Sequence, residues 1–220
     1  MEQAIRQPAR ATPFFDISFC SCYVYAPRGG GWRARSSRVL CRRVKAIDPL
    51  WLPRYAAYVY RCSLQDRELA SLFESGAALV PVPGSARTGD AAWAALALAM
   101  ALSRVGFGLP VWSGLWRRHA VIKSATALPA ARPTVQQHYD SFAVASVELP
   151  LRRIVLIDDV ITRGRTLLAA AARLRSTVPC ADIRAFALIR TRGFAAQLPS
   201  ITDTCHGVVR WSGDDARREP

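Results

Sequence analysis

Hydrophobic and polar positions along this chain switch repeatedly between the period of a strand and the period of a helix. Ile154 to Ile157 is an unbroken apolar run, the pattern of a strand buried on both faces of a parallel sheet. Two carboxylates, Asp158 and Asp159, follow at once, then a short polar turn containing Gly164. From Thr166 onward Leu167, Ala171, Leu174 and Val178 lie four, three and four apart, which predicts a helix. Upstream, residues 1–17 read as a loose leader. Phe19–Tyr25 alternates and is rich in aromatics, a strand signature, and Pro27–Gly31 is a turn. A helix is expected in the second half of residues 28–45, with Val39, Leu40 and Val44 on one face and arginines on the others. Trp51–Arg61 and Gln65–Ser75 read as two helices, the second turning Leu69, Leu72 and Phe73 inward. Ala77–Val82 is a short buried strand, and a helix from Asp90 to Arg104 is apolar on most sides. Leu109–Trp112 is expected as a short strand, residues 113–133 as an irregular polar loop, and Phe142–Leu149 as a strand or hairpin arm. Ile183–Ile189 and Val208–Trp211 complete the strands before a polar end. This order gives an α/β fold with a central, mainly parallel sheet flanked by helices.

Composition narrows the class. At 220 residues, with 51% hydrophobic and 21% charged, the chain has enough material for one α/β core and a small appendage. Residues 1–75 are expected as an N-terminal extension or hood, 76–212 as the core and 213–220 as a polar tail. The net charge is +14, and with only Lys45 and Lys123 as lysines, 30 − 2 = 28 of the basic residues are arginine. Such a charge suits a phosphorylated ligand or nucleic acid and does not separate them. The longest apolar run, Ala91 to Leu102, falls short of the roughly 20 residues a bilayer requires. No secretory signal is visible, since Glu2 and Asp16 interrupt its regions, and a cytoplasmic location with no membrane partner is expected. The six cysteines form no C-x-x-C pair; a zinc site of Cys20, Cys22, Cys41 and Cys62 would match no common spacing. His119, His138 and His206 read as surface or packing residues, with no Ser/His/Asp or Cys/His set among them.

The chemistry concentrates where the central strand becomes a helix. Ligands of open parallel sheets bind beyond the carboxyl ends of the strands. The free amides and positive dipole end of a helix suit a phosphate there. Gly164 allows a close backbone approach, and Thr162 and Thr166 add hydroxyl donors. Asp158 and Asp159 would repel a phosphate, so they face hydrogen-bond donors such as sugar hydroxyls or a hydrated cation. A phosphorylated sugar satisfies both halves. A Walker B strand has the same apolar-acidic outline, but it needs G-x-x-x-x-G-K-[ST]. In Gly84-Ser-Ala-Arg-Thr-Gly89 the lysine position is Asp90, which argues against an ATPase.

The stretch Arg153-Ile-Val-Leu-Ile-Asp-Asp-Val-Ile-Thr-Arg-Gly-Arg-Thr166 resembles the phosphoribosyl pyrophosphate (PRPP) signature of type I phosphoribosyltransferases. The resemblance implies that Asp158 and Asp159 are the catalytic pair holding the ribose hydroxyls. It also implies that Val160, Thr162, Arg163, Gly164, Arg165 and Thr166 wrap the 5′-phosphate. Arg163 departs from the pattern, which usually has a second threonine there. Val80-Pro-Val-Pro83 is similar to the strand end of the ComF-like branch, after which a pyrophosphate loop would comprise Pro83, Gly84, Ser85, Arg87 and Thr88. Arg132 followed by Gln136, Gln137 and Phe142 is also similar to that branch. Lys123 and Arg132 would then belong to a lid or base pocket in the long 113–133 loop. The branch usually carries an N-terminal cysteine-pair zinc module, which this chain lacks.

The resemblance thus implies a type I phosphoribosyltransferase fold, with a smaller hood from the N-terminal region and loop. It implies Mg²⁺ arriving with PRPP, no direct protein ligand to the metal, and a nucleobase-like nitrogen acceptor. A second class stays open: a catalytically silent PRPP or nucleotide sensor that binds nucleic acid. Its contact would be the basic stretch Arg28, Arg33, Arg35, Arg38, Arg42, Arg43 and Lys45, which no acid interrupts between Asp16 and Asp48. A scaffold without activity is a third, and oligomeric state is open.

Overall fold

A computed structural model describes residues 12–89, 91–123, 128, 131–146, 151–193, 197–213 and 215–220. The architecture is α/β. Eight strands are described: β1 (Ile17–Tyr25), β2 (Ala77–Pro81), β3 (Leu115–Arg117), β4 (Phe142–Val144), β5 (Arg153–Ile161), β6 (Asp182–Thr191), β7 (Thr202–Trp211) and β8 (Ala216–Glu219). The helices are α1 (Gly31–Lys45), α2 (Leu52–Ser63), α3 (Arg67–Leu72), α4 (Ala94–Leu102), α5 (Val135–Ser141) and α6 (Arg165–Arg175). Six strands form one sheet in the order β2-β5-β6-β1-β7-β8; β2, β5, β6 and β1 run parallel, and β7 and β8 are antiparallel additions.

Alternation of side chains along the strands divides the core into two layers. Cys20, Cys22, Leu79, Val155, Ile157, Phe186 and Leu188 point toward the layer built by α1 to α4. Phe19, Val80, Ile154, Leu156, Ala185 and Ala187 point to the other, against Leu167, Leu168 and Ala171 of α6. Because both faces are covered, the central strands read as continuous apolar runs. α4, apolar all round, lies between the sheet and α2.

Several expectations change. Residues 17–25 were assigned to a hood, yet β1 sits inside the sheet between β6 and β7, because nearly every residue of it is buried and must be covered on both faces. The expected helix from Asp90 begins only at Ala94, and Asp90 itself lies outside the described residues. The helix expected over Gln65–Ser75 shortens to α3, whose start is set by Asp66, its carboxylate accepting from the Leu69 amide at 2.9 Å. Leu109–Trp112 is not a full strand: Leu79 donates to Pro110 O and accepts from Trp112 N, both at 2.9 Å, so it only covers the outer edge of β2. The 113–133 loop contains β3, paired antiparallel with β4 in a separate two-stranded sheet. Its inward positions are Leu115 and Arg117, and a buried arginine hides the alternation. Of the Phe142–Leu149 arm, only Phe142–Val144 is strand, and 147–149 lie outside the described residues. The polar tail contains β8, held by the Ser212-to-Asp215 turn and by Arg210 to Glu219 at 2.6 Å, a strand polar on its exposed side. Among the described residues no helix is long and apolar enough to cross a membrane.

The position of β1 makes a direct prediction. A fragment of residues 76–212 would leave β6 and β7 without their shared partner and lose buried Ile17, Phe19, Cys20, Cys22 and Val24. It should show no cooperative transition in scanning calorimetry; a sharp transition would mean that the remaining sheet is self-sufficient.

Candidate active site at the carboxyl edge of the sheet

β2 ends opposite the middle of β5. Pro81 pairs with Ile157, and the Val82 amide donates to Ile157 O at 2.9 Å. The 83–88 loop therefore starts beside Asp158. β5 does not stop at its carboxylates but runs on to Ile161, with Asp158 opposite Ala187 and Val160 opposite Ile189. A bend at Thr162 and Arg163 then leads through Gly164 into α6. The fold thus brings Asp158, Asp159, Val160 and Thr162 to Thr166 to the same edge as Pro83 to Thr88. Of the residues assigned to a lid, Lys123 is exposed and Arg132 half-buried, next to segments outside the described residues. Neither lines the nearby cleft of about 320 Å³ between His119–Ile122 and Pro133, Gln137 and Asp140.

The acidic pair is closed by a residue from the other end of the chain. Lys45 Nζ, at the end of α1, lies 2.8 Å from Asp159 Oδ2. The Asp159 amide donates to Asp158 Oδ1 and the Val160 amide to Asp159 Oδ1, each at 2.9 Å. Burial, then the adjacent Asp159 carboxylate, push Asp158 well above the usual carboxylate range, with Lys45 opposing. Burial disfavours the Lys45 ammonium, but Asp159 outweighs it and the net shift is upward, so Lys45 stays charged. A carboxyl that keeps its proton can donate a hydrogen bond to a ligand hydroxyl as well as accept one.

Gly164 works differently from the expectation. Its φ is +88°, and a Cβ there would lie 2.5 Å from Val209 Cγ1, so the close approach it permits is to β7. No side chain caps α6, and no acid stands in its first turn. Thr162 Oγ1 is 3.2 Å from Thr191 Oγ1. Arg163 reaches Asp215 at 3.2 Å, and Arg165 forms a two-point contact with the same carboxylate while donating to Pro133 O at 3.1 Å. The Arg165 hydrogen bond holds Asp215 below the usual carboxylate range. Both motif arginines are thus engaged by the segment leading into β8.

In the other loop Arg87 is exposed and makes no ion pair among the described residues. Ser85 O accepts from the Val121 amide at 2.8 Å, and the Thr88 hydroxyl accepts from the Arg117 amide at 2.9 Å. Under the loop lie Arg117 and His138, both buried. Burial, then Arg117 and Arg165, bring His138 down to about 3, so it is neutral. His138 belongs to α5, a helix that the sequence reading left unassigned although its signal is there. Thr134 and Gln137 form a reciprocal capping box.

The antiparallel pairing of β1 with β7 assembles a further set. Cys20 Sγ is 3.0 Å from His206 Nδ1, and His206 Nε2 is 2.7 Å from Asp66 Oδ2. The order is that of a nucleophile, base and acid. Yet Cys20 is 3% exposed and pushed up to about 12, by burial first and then by Glu68, Asp66 and Cys205. It remains a thiol out of reach of a substrate, and the set ties the start of α3 to β7. Cys20, Cys22, Cys41 and Cys62 are free thiols, and the described residues include no group of three or more His, Cys, Asp or Glu arranged around a metal ion.

The basic stretch is partly spent inside the molecule. Arg38 donates to Ala26 O and Gly29 O at 3.3 and 3.2 Å, Arg43 lies 4.0 Å over the Trp51 ring, and Lys45 holds Asp159. Arg28, Arg33, Arg35 and Arg42 are exposed, together with Trp32.

Two substitutions test this geometry. Gly164→Ala should cost about 2–4 kcal/mol in urea unfolding, from the left-handed backbone plus the overlap with Val209. Val209→Ala in the same chain should recover part of that loss, whereas a Gly164→Ala protein of wild-type stability would contradict the close approach. Asp158 has a folded-state value above its unfolded one, so it contributes stability only in acid and loses it as pH rises through the raised value. Asp158→Asn should therefore raise the melting temperature at pH 7 by about 2 °C or more. The gain should vanish below the unfolded carboxyl's 3.8.

No protein-family model matches this chain, and no curated protein does. The residues and geometry of this edge are what a function must be argued from.

Proposed function

We propose that the protein is a PRPP-binding, phosphoribosyltransferase-like enzyme of the type I fold, similar to the ComF-like branch, transferring a 5-phosphoribosyl group to a nucleobase-like nitrogen. The observation that carries this reading is the convergence of three unlike features on one sheet edge. They are a carboxylate pair suited to hydroxyls, an uncapped helix N-terminus, and a second loop with an exposed arginine. A ligand with a diol between two phosphorylated ends would engage all three.

In this reading Asp158 and Asp159 hold the ribose hydroxyls, and Lys45 shares Asp159 with them. Amides opening α6, with the Thr162 and Thr166 hydroxyls, receive the 5′-phosphate. The 83–88 loop, with Arg87, receives the pyrophosphate. The nitrogen–C1 bond forms as the C1–oxygen bond breaks; the electron pair leaves on pyrophosphate, and the nitrogen's proton passes to solvent. The sugar carries partial positive charge at C1 during this exchange, next to the acidic pair. Catalysis comes chiefly from positioning and from charge placed around the leaving group. The acidic pair fits a cation near the sugar: a cation there would favour ionised Asp158, and Lys45, its cationic neighbour among the described residues, is bound to Asp159. Mg²⁺ carried on the pyrophosphate would neutralise part of the charge that develops there.

Calorimetric titration of PRPP with Mg²⁺ should show binding to the wild type and none to Asp158→Asn/Asp159→Asn. A screen of nitrogen bases for pyrophosphate release then identifies the acceptor. A folded wild type that takes up no PRPP would end this reading.

A further inference from the structure

Arg117 is 1% exposed, at the end of β3 and beneath the 83–88 loop. Burial lowers it only to about 10, so it is charged at neutral pH. Every group it meets among the described residues is neutral. Its Nε donates to Gly84 O at 2.6 Å and its terminal nitrogens to Pro83 O at 3.4 Å and to Ser141 Oγ. His138 Nδ1 stands 3.5 Å away, and the Phe142 ring lies 4.2 Å below. Among the described residues no carboxylate pairs with it. Burying an ion without a counter-ion is strongly unfavourable, and a neutral side chain could bridge the same carbonyls without that penalty.

The same residue fastens both ends of the loop. Its guanidinium holds Pro83 and Gly84, while its backbone donates to Thr88 Oγ1 at 2.9 Å and accepts from the Thr88 amide at 3.2 Å. The Ser85 carbonyl is taken by the Val121 amide. The loop's first three carbonyls are thus drawn toward the β3 side. Among the described residues the amides of Gly84, Ser85, Ala86 and Arg87 have no protein acceptor. Successive free amides over a buried cation form a concavity for an anion.

The neighbours leave that charge in place. His138 is neutral, 4% exposed, and its Nε2 has no partner among the described residues. Arg165, which also acts on His138, is paired with Asp215.

We infer that Arg117 is a positioning residue that orders the 83–88 loop and supplies, from beneath it, the charge with which the loop binds a diphosphate. The proposed function enters this inference only in naming the anion.

The test is calorimetric titration of inorganic pyrophosphate into the full chain as wild type, Arg117→Gln and Arg117→Lys, with circular dichroism and thermal unfolding to verify the fold. Arg117→Gln should weaken binding by about tenfold or more, the loss of one charge-assisted interaction. Arg117→Lys, which restores the charge without the fork, should recover part of it and remain about threefold or more below wild type. A folded Arg117→Gln protein with wild-type affinity, or a wild type that binds no pyrophosphate, overturns the inference. If Arg117→Gln does not fold, Arg117→Lys decides, and unchanged affinity in it overturns the inference. Pyrophosphate binding that depends on Arg117, in a protein that does not bind PRPP, would leave this inference standing and remove the sugar reading. PRPP binding lost in Asp158→Asn/Asp159→Asn but unaltered in a folded Arg117→Gln would do the reverse.

Discussion

Parallel, in-register pairing of β2 with β5 is the constraint on which the rest of the site depends. Five consecutive pairs, Ala77 with Arg153 to Pro81 with Ile157, end β2 one residue before Asp158, while β5 runs on to Ile161. Parallel neighbours deliver their following loops to the same side, so a polar turn after one strand must share space with the turn after the other. A slip of one residue would put Val80 and Leu156, paired on one face here, on opposite faces of the sheet, one of them in the wrong layer of the core. The apolar packing of the sheet therefore sets how the acidic pair stands against the 83–88 loop.

Electrostatics at this edge is arranged in separate compartments. Two carboxylates are offset by one ammonium from α1, two arginines share the one carboxylate of Asp215, and one buried guanidinium has only neutral partners. In the first two, opposite charges meet within the chain. In the third, among the described residues, no carboxylate meets the guanidinium, and it lies under a loop whose amides have no protein acceptor. A strongly basic protein needs no such placement for solubility, since exposed arginines supply that charge at no desolvation cost.

The fold's outline was legible wherever an element is local and apolar. Ile154–Ile157 and Ile183–Ile189 could be read as buried strands, and Leu167, Ala171 and Leu174 as the inner face of α6, because helices cover both faces of the central sheet. The candidate site was legible in part: the glycine turn opens a helix and Pro83 to Thr88 follow a strand, but Asp158 and Asp159 stand inside β5, which runs past them to Ile161 because it keeps pairing with β6. Elements with polar inward positions were not. β3 buries Arg117, β8 has arginine and glutamate along its exposed side, and α5 shows itself by its capping box more than by its hydrophobicity.

By itself the sequence determined the sheet's apolar strands, the acidic pair after the apolar run of one of them and the glycine turn into α6, since each depends on residues adjacent in the chain. Tertiary structure alone decided the partners. β1 inserts between β6 and β7, Lys45 reaches Asp159 across 114 positions, and Cys20, His206 and Asp66 meet through strand pairing. Asp215 gathers the two motif arginines, and Arg117 fastens a loop 33 positions before it. These contacts are set by how layers pack and which strands pair. An arginine on a helix face, on a strand or under a loop reads alike in the sequence until the fold decides which charges water reaches.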